Sequence, residues 1–174
     1  MNRTIVTLIM LLCAACGTAA HGKTDPASPL LDPDQLKDGR TWTVAGTSHG
    51  TWGELDESLV PCGKRIIAPA AAETRWRTFT ATDGATVTQV VVSGVDAMDS
   101  FKAFYAECGV VGSVDSIAGP GNVARHDGEV EVAAMSKNRF VVIGGTASET
   151  QLRQFAETAR IHLDAVGTGT AGGS

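Results

Sequence analysis

The stretch at residues 85–109 constrains the fold more than any other part of this chain, because it joins a strand to a helix that ends at a cysteine. Residues 85–92 (ATVTQVVV) are rich in threonine and valine, a composition typical of a β-strand. Residues 96–108 predict an amphipathic helix, for which Asp96 or Ser93 can act as the N-cap. Its apolar residues recur at three- and four-residue steps, and we expect them to pack against a sheet: Met98, Phe101, Phe104, Tyr105 and Cys108.

Residues 76–93 predict a β-hairpin that leads into this helix. The dipeptide Asp83-Gly84 lies between two runs rich in threonine and valine. It favours a two-residue type I′ turn, because both of its residues readily adopt positive φ angles. A turn of that length would place Trp76 opposite Val91 in the register of the two strands.

Alternating or continuous apolar runs predict the other strands, at residues 41–45, 110–117, 122–125, 129–135 and 140–143. In the alternating run at residues 129–135 we expect the valines to face the core and Glu129 and Glu131 to face solvent. Residues 140–143 (FVVI) are apolar on both faces, which predicts a central strand.

Two more helices are predicted, a short one that begins after Asp32 and ends near Asp38-Gly39, and a long one at residues 148–163. Asp32 is a good N-cap for the short helix, whose three leucines we expect to seal an edge of the core. Overlapping capping boxes mark the start of the long helix: Thr146 with Glu149, and Ser148 with Gln151. Its expected buried stripe is Leu152, Phe155, Ala156, Ala159 and Leu163.

These elements predict an α+β fold, with an antiparallel sheet of about five to seven strands, two main helices covering one face and one disulfide. We expect four segments: residues 1–16 as a signal peptide with a lipobox-like end, 17–29 as a flexible tether, 30–165 as a single domain and 166–174 as a disordered tail. The formal net charge is −5 and no run of basic residues exceeds two, so nucleic acid is not an expected partner.

The N-terminus has the features of an export signal. Arg3 precedes a short apolar run at residues 5–12, and small residues lead to Cys16. The order Ala-Ala-Cys resembles a bacterial lipobox, in which the cysteine is diacylated, so we expect Cys16 to anchor the protein to the outer face of the cell membrane. Cleavage after residues 18–20 (TAA) is the alternative, and it would give a secreted soluble domain.

Cys62 and Cys108 remain once the leader is removed, and an even pair in an exported chain predicts a disulfide. Such a bridge would stabilise the fold by roughly 4 kcal/mol, because it restricts the unfolded chain. A reactive thiol is the alternative, and it would need a histidine or a basic environment that the sequence does not indicate.

The sequence indicates no catalytic residue, no metal site and no cofactor, because it contains no nucleophile motif and no phosphate-binding glycine motif. His126, Glu129 and Glu131 lie on a predicted turn and strand edge, where solvated charge is the usual finding. The candidate pocket residues are His49 and Trp52, in a predicted glycine-rich loop (TSHGTWG). The alternative is that Trp52 covers an edge of the core.

Several stretches together resemble the PknH-type extracellular sensor domains and related actinobacterial lipoproteins: residues 30–36, 89–92 (QVVV), 101–108 (FKAFYAEC) and 140–163. This resemblance implies an antiparallel sheet with helices packed on it and a cleft for an unidentified ligand. The kinase members of that family have two disulfides, whereas the mature domain of this chain has cysteines for one. The resemblance transfers no binding residue.

We therefore expect an exported, membrane-anchored lipoprotein, not an enzyme, whose domain binds a small or lipidic ligand or a cell-envelope protein. This hypothesis predicts an apolar cleft between sheet and helix. A structural or protein-interaction module of the cell envelope is the alternative, and it predicts an exposed apolar patch without a cavity. A hydrolase would need a nucleophile and a base that converge in a pocket.

Overall fold

The computed structural model describes residues 28–108, 124–126 and 129–168. Six strands form one antiparallel sheet in the order β1-β2-β3-β6-β5-β4, which confirms the predicted α+β class. The elements in chain order are β1 (Trp42–Thr51), β2 (Glu73–Ala81), β3 (Thr86–Ser93), α1 (Ala97–Cys108), β4 (Ala124–His126), β5 (Glu129–Ser136), β6 (Arg139–Gly145) and α2 (Glu149–Thr168). The predicted strand at residues 110–117 lies outside the described residues.

The two helices cover opposite faces of the sheet, so the prediction that they share one face was wrong. Val91 and Val141 pack in the core beneath α2, whereas Val90 and Val142 pack in a second core beneath α1. The reason lies in β3 and β6, the two central strands, which are apolar on both faces and therefore need cover on both. The prediction that residues 140–143 form a central strand is confirmed.

Helix α2 buries the predicted stripe, whose members are at most 1% exposed: Leu152, Phe155, Ala156, Ala159 and Leu163. The Ser148 N–H donates to Gln151 Oε1 over 3.0 Å, which confirms one of the two predicted capping boxes. Thr146 instead accepts the Thr86 N–H at its hydroxyl, over 2.9 Å. The helix continues to Thr168 with Val166 half-buried, so the predicted tail was wrong for its first three residues; residues 169–174 lie outside the description.

Helix α1 begins as predicted, with Asp96 as its cap. Asp96 Oδ1 accepts the N–H groups of Met98 and Asp99 over 3.0 and 3.1 Å. The buried residues of the helix are Ala97, Ser100, Phe101, Phe104 and Tyr105, so the aromatic stripe is core. The Tyr105 hydroxyl accepts the Ala133 N–H over 3.2 Å and donates to the Ala133 carbonyl over 3.3 Å.

The β2–β3 hairpin has a three-residue loop, residues 82–84, and the predicted two-residue type I′ turn was wrong. A type I′ turn needs a positive φ at both central residues, whereas in this loop only Gly84 has one, at +85°. Its N–H donates to the Ala81 carbonyl over 3.0 Å. Trp76 is consequently opposite Val90, one residue from the predicted partner.

The chain enters the domain through residues 28–36, which we call the N-terminal clasp. A short 3-10 helix, Pro33–Gln35, follows Asp32, whose N–H donates to Gln35 Oε1 over 2.7 Å. The three leucines are buried as predicted: Leu30, Leu31 and Leu36. His162 of α2 donates from Nε2 to the Ser28 carbonyl over 2.8 Å and accepts at Nδ1 from the Gln35 amide, which ties the clasp to that helix.

Three strands of the sheet hold the same clasp. Gln89 of β3 accepts the Leu31 N–H at Oε1 over 2.9 Å, and Arg77 of β2 pairs with the Asp32 carboxylate over 3.0 Å. Trp42 of β1 lies in the same core as the clasp leucines. In the part of the chain that is described, no helix has the length and apolarity needed to cross a bilayer.

Candidate functional site

The predicted disulfide is present. It joins Cys62 to Cys108 across 46 positions in the sequence, with a distance of 5.7 Å between the two Cα atoms. Cys108 is the last residue of α1, and Cys62 lies in a 3-10 turn, Pro61–Gly63, with a φ of +44°. The bridge therefore fastens the connection between β1 and β2 to the end of the helix.

That connection, residues 52–72, is called the Cys62 segment below. It is built from four short 3-10 turns and lies on the α1 side of the sheet, where it buries Trp52, Leu55, Val60 and Ile67. Arg65 holds it together, because its guanidinium donates to the carbonyls of Trp52 and Leu55 over 3.0 and 2.6 Å and to Glu57 Oε2 over 2.7 Å. Most of this stretch could not be assigned from the sequence, since its glycines, prolines and alanines favour no single element.

His49 and Trp52, the candidate pocket residues, have different surroundings. The predicted loop around them was wrong, because β1 runs to Thr51 and pairs with β2, which places His49 opposite Arg75. The His49 side chain is exposed, whereas Trp52 is 1% exposed and its indole N–H donates to the Arg65 carbonyl over 2.6 Å. Trp52 thus covers the core, as the alternative predicted, and the structure offers no support for a pocket shared by the two.

A partly enclosed cavity of about 150 Å³ lies between the Cys62 segment and the ends of β3, β5 and β6, and we call it the Glu131 cavity. The polar residues that line it are Ser58, Thr86, Thr88, Glu129 and Glu131. Its apolar wall is formed by Leu59, Pro61, Val90 and Val142. Among the described residues that line it, none is lysine, arginine or histidine.

The prediction that Glu131 faces solvent was wrong. Glu129 is exposed as predicted, but Glu131 is half-buried, because the Cys62 segment crosses β5 above it and the Cys62 N–H donates to Glu131 Oε1 over 3.1 Å. Gly144, its partner on β6, gives it room: a Cβ there would lie 3.1 Å from Glu131 Cγ. No local signal could have shown this, since it depends on the pairing of two strands and on a distant loop.

The same glutamate approaches the disulfide. The two cysteine sulfurs and a Glu131 carboxylate oxygen all lie within 4.8 Å of one another. While the sulfurs are bonded to each other they are not available as thiolate ligands. His126, which the sequence placed near these acids, lies in β4 opposite Glu129 in the backbone register.

A second recess is an open groove of about 460 Å³ between the Cys62 segment and α1. Its wall is mainly apolar, and Asp96 and Asp99 lie at its rim. The apolar residues are Ile66, Ile67, Ala68, Pro69, Val95 and Ala103. Ile66 is 73% exposed, which makes it the most exposed large apolar side chain among the described residues.

The apolar cleft expected between sheet and helix is not seen in residues 28–108 and 129–168. Phe104 and Phe140 fill the space beneath α1, and Phe155 and Leu152 fill the space beneath α2, all without measurable exposure. Burial also raises the pKa of Tyr105 to about 12, although its hydrogen bond to Ala133 opposes that shift. Both sheet–helix interfaces are therefore packed core, and the Glu131 cavity and the open groove border the Cys62 segment instead.

Comparison with known proteins identifies no relative: no family model, no curated protein and no solved structure matches this chain.

Proposed function

We propose that this chain is an exported, membrane-anchored lipoprotein whose domain binds a small polar ligand in the Glu131 cavity, without catalysis. The single observation that carries the binding role is the cavity itself, a partly enclosed recess of about 150 Å³ beside two closely packed sheet–helix interfaces. Small-molecule sites in proteins are typically such concave recesses with a few converging polar groups. The resemblance to extracellular sensor domains supports the same class of function and stays a hypothesis.

The chemistry of the cavity wall defines the ligand class. The carboxylates only accept hydrogen bonds, the hydroxyls both accept and donate them, and the described lining offers no cationic side chain that would attract an anion. An acyl chain would have to displace water from these polar groups without replacing its hydrogen bonds, which is unfavourable. The expected ligand is therefore a small molecule that donates hydrogen bonds or carries a positive charge, and a lipidic ligand is disfavoured.

A thermal-shift screen with small ammonium compounds, neutral polyols and carboxylates tests this proposal. We expect ammonium or polyol compounds to raise the melting temperature in a concentration-dependent way. Titration followed by NMR should then show shifts centred on the amides of Thr86, Thr88 and Gly144, which surround the cavity.

Two variants make that titration specific. Glu131→Gln removes one of the two carboxylate charges at the cavity and should weaken binding, whereas Glu73→Gln alters an exposed carboxylate on β2 and should leave binding unchanged. Binding that is equally strong in both variants, or a preference for carboxylates over amines and polyols, would contradict the proposed site.

The membrane anchor is a separate part of the proposal. Its residues lie outside the described ones, but the disulfide agrees with an oxidising compartment outside the cytoplasm. Mass spectrometry of the protein purified from membranes should find Cys16 as a diacylated N-terminus. A free N-terminus at His21 would instead indicate ordinary cleavage and a secreted domain.

The interaction module remains a second candidate, because Ile66 and the apolar groove beside α1 form an exposed patch. Photo-crosslinking from position 66 on the intact cell surface should then capture one defined partner. The matched control is position 44, where Val44 is 44% exposed but lies on β1, away from the groove. Equal capture from both positions would remove the reason to assign the groove a partner.

A further inference from the structure

Three side chains that ligate metals meet where the Cys62 segment crosses β5. The Sγ atoms of Cys62 and Cys108 and a carboxylate oxygen of Glu131 all lie within 4.8 Å of one another. We propose that reduction of the disulfide turns this cluster into a binding site for a thiophilic divalent metal ion of the zinc class. The inference does not rest on the small-molecule role of the Glu131 cavity.

The distances suit a tetrahedral ion. Zinc binds thiolate sulfur at about 2.3 Å and carboxylate oxygen at about 2.0–2.2 Å, so the ligand atoms of one zinc ion lie roughly 3.5–3.8 Å apart. The Glu131 oxygen already lies within 4.8 Å of both sulfurs. Once the bond between them is broken, the sulfurs can reach zinc spacing by a change of side-chain rotamer, because their Cα atoms are 5.7 Å apart.

The surroundings favour a cation over the metal-free reduced cluster. Cys62 is 3% exposed, and both Cys108 and Glu131 are half-buried, so two thiolates beside a carboxylate would repel one another strongly, and without a metal ion the cysteines stay protonated. A divalent ion compensates that repulsion and so makes the thiolate form favourable. The Cys62 N–H, which donates to Glu131 Oε1, would orient the carboxylate in the way that outer hydrogen bonds orient metal ligands.

Formation of the site requires a reductant for the disulfide, such as a dithiol. A dithiol reductant delivers two electrons and two protons to the disulfide and is itself converted to a disulfide, which leaves Cys62 and Cys108 as thiols. The metal ion then displaces the two thiol protons and binds the sulfurs together with Glu131, and water occupies the fourth position. Metal and oxidant therefore compete for the same pair of sulfurs.

Cobalt titration of the reduced protein tests the site, because cobalt bound to thiolate has an intense sulfur-to-metal charge-transfer absorption. The full chain should carry Cys13→Ser and Cys16→Ser, so that all sulfur ligands come from Cys62 and Cys108. After reduction with a phosphine we expect one cobalt ion per chain, the thiolate band, and loss of the band when zinc is added.

Variants identify the ligands. Cys108→Ser should weaken the thiolate band by about half or more, and Glu131→Gln should weaken cobalt binding at least about tenfold, the range found for residues that support a metal site. Glu107→Gln changes an exposed carboxylate next to Cys108 and should bind as the parent does. No thiolate band in the reduced parent, or equal affinity in Glu131→Gln and Glu107→Gln, would overturn the proposal.

The metal site can also be tested if the protein unfolds on reduction. If the reduced chain unfolds, zinc should restore its circular dichroism and raise its melting temperature, because metal binding then contributes to folding. Zinc should also slow reoxidation by oxidised glutathione. Reduced protein that zinc neither refolds nor protects from oxidation would overturn the proposal, and neither measurement involves a cavity ligand.

Discussion

Tyr105 shows how a single side chain can hold a buried strand. In the described residues, β4 pairs with β5 as far as Glu131. Two residues further along β5, the hydroxyl of Tyr105 accepts the Ala133 N–H and donates to the Ala133 carbonyl. A buried peptide group without such a partner is costly, so this hydroxyl has a structural role in the middle of the domain.

Replacement of this residue by phenylalanine tests that role. Tyr105→Phe keeps the ring but leaves the buried N–H of Ala133 without its acceptor, and we expect a loss of about 1–3 kcal/mol in the free energy of unfolding. Urea denaturation measures it. Thr43→Val removes a hydroxyl whose hydrogen bond is exposed, and it should change stability by less than about 0.5 kcal/mol. A similar small change in Tyr105→Phe would show that the hydroxyl is dispensable.

The same hydroxyl gives a prediction for alkaline pH. Burial raises the pKa of Tyr105 to about 12 from its ordinary value of 10. Because the folded pKa is the higher one, the stabilisation is fully present below pH 10 and is lost as the pH rises toward 12. Since Tyr105 is the one tyrosine of the chain, its absorbance reports the titration directly.

We expect tyrosinate absorbance to appear near pH 12 in the native protein and near pH 10 in urea. Coincident titrations in the two states would contradict the assignment of Tyr105 to the core.

At the end of β6, Gly145 leaves almost no room for a Cβ. Gly145 pairs with Val87 and Val130 and has a φ of +142°, and a Cβ at this position would lie 2.3 Å from the Thr86 carbonyl oxygen. That oxygen accepts the N–H of Thr146 over 3.0 Å, so it is held in place. Here glycine is required by the close approach of two strands.

We expect Gly145→Ala to lower the free energy of unfolding by about 2–4 kcal/mol, because β3 and β6 would have to separate locally. Gly46→Ala is the control, since a Cβ at Gly46 meets nothing within 4 Å, and it should be close to neutral. Thermal and urea denaturation compare the two variants. Equal stability of both would mean that β6 adjusts its path without cost.

Helices and strands could be predicted from the sequence better than the register in which the strands pair. Hydrophobic periodicity identified α1, α2 and the central strand, because burial on one face or on both leaves a local pattern. It missed the three-residue loop that ends at Gly84. A two-residue type I′ turn would need a positive φ at Asp83 as well as at Gly84, and only Gly84 has one. The sequence also placed His49 in a loop, because glycine-rich composition does not indicate a strand. The strand forms there because residues 46–51 pair with β2, which lies far away in the sequence.

For the whole molecule, the decisive link is between segments far apart in the sequence. The Cys62 segment belongs to the connection after β1, yet it contacts β5 through Glu131 and α1 through the disulfide. The cysteine pair could be predicted because residues 30–165 contain no other cysteine. The Glu131 cavity could not, because its wall comes from the Cys62 segment and from three strands that are adjacent only in the folded sheet.

Removal of the bridge tests its contribution to the whole domain. Cys62→Ala combined with Cys108→Ala should lower the free energy of unfolding by about 4 kcal/mol, because a loop spanning 46 positions is no longer closed in the unfolded chain. Urea denaturation of the oxidised parent and the double variant measures the difference. A loss below about 1 kcal/mol would mean that the unfolded chain gains little freedom when the bridge is absent.

The N-terminal clasp determines how the domain would respond to a mechanical load. A force applied to the chain ahead of residue 28 would enter at Ser28, whose carbonyl is held by His162, and would be shared at once with β3 through Leu31 and with β2 through Asp32. Helix α2 and two strands would therefore carry the pull in parallel before it reaches β1, an edge strand of the sheet. Peeling of β1 from the sheet would begin only after the clasp has given way.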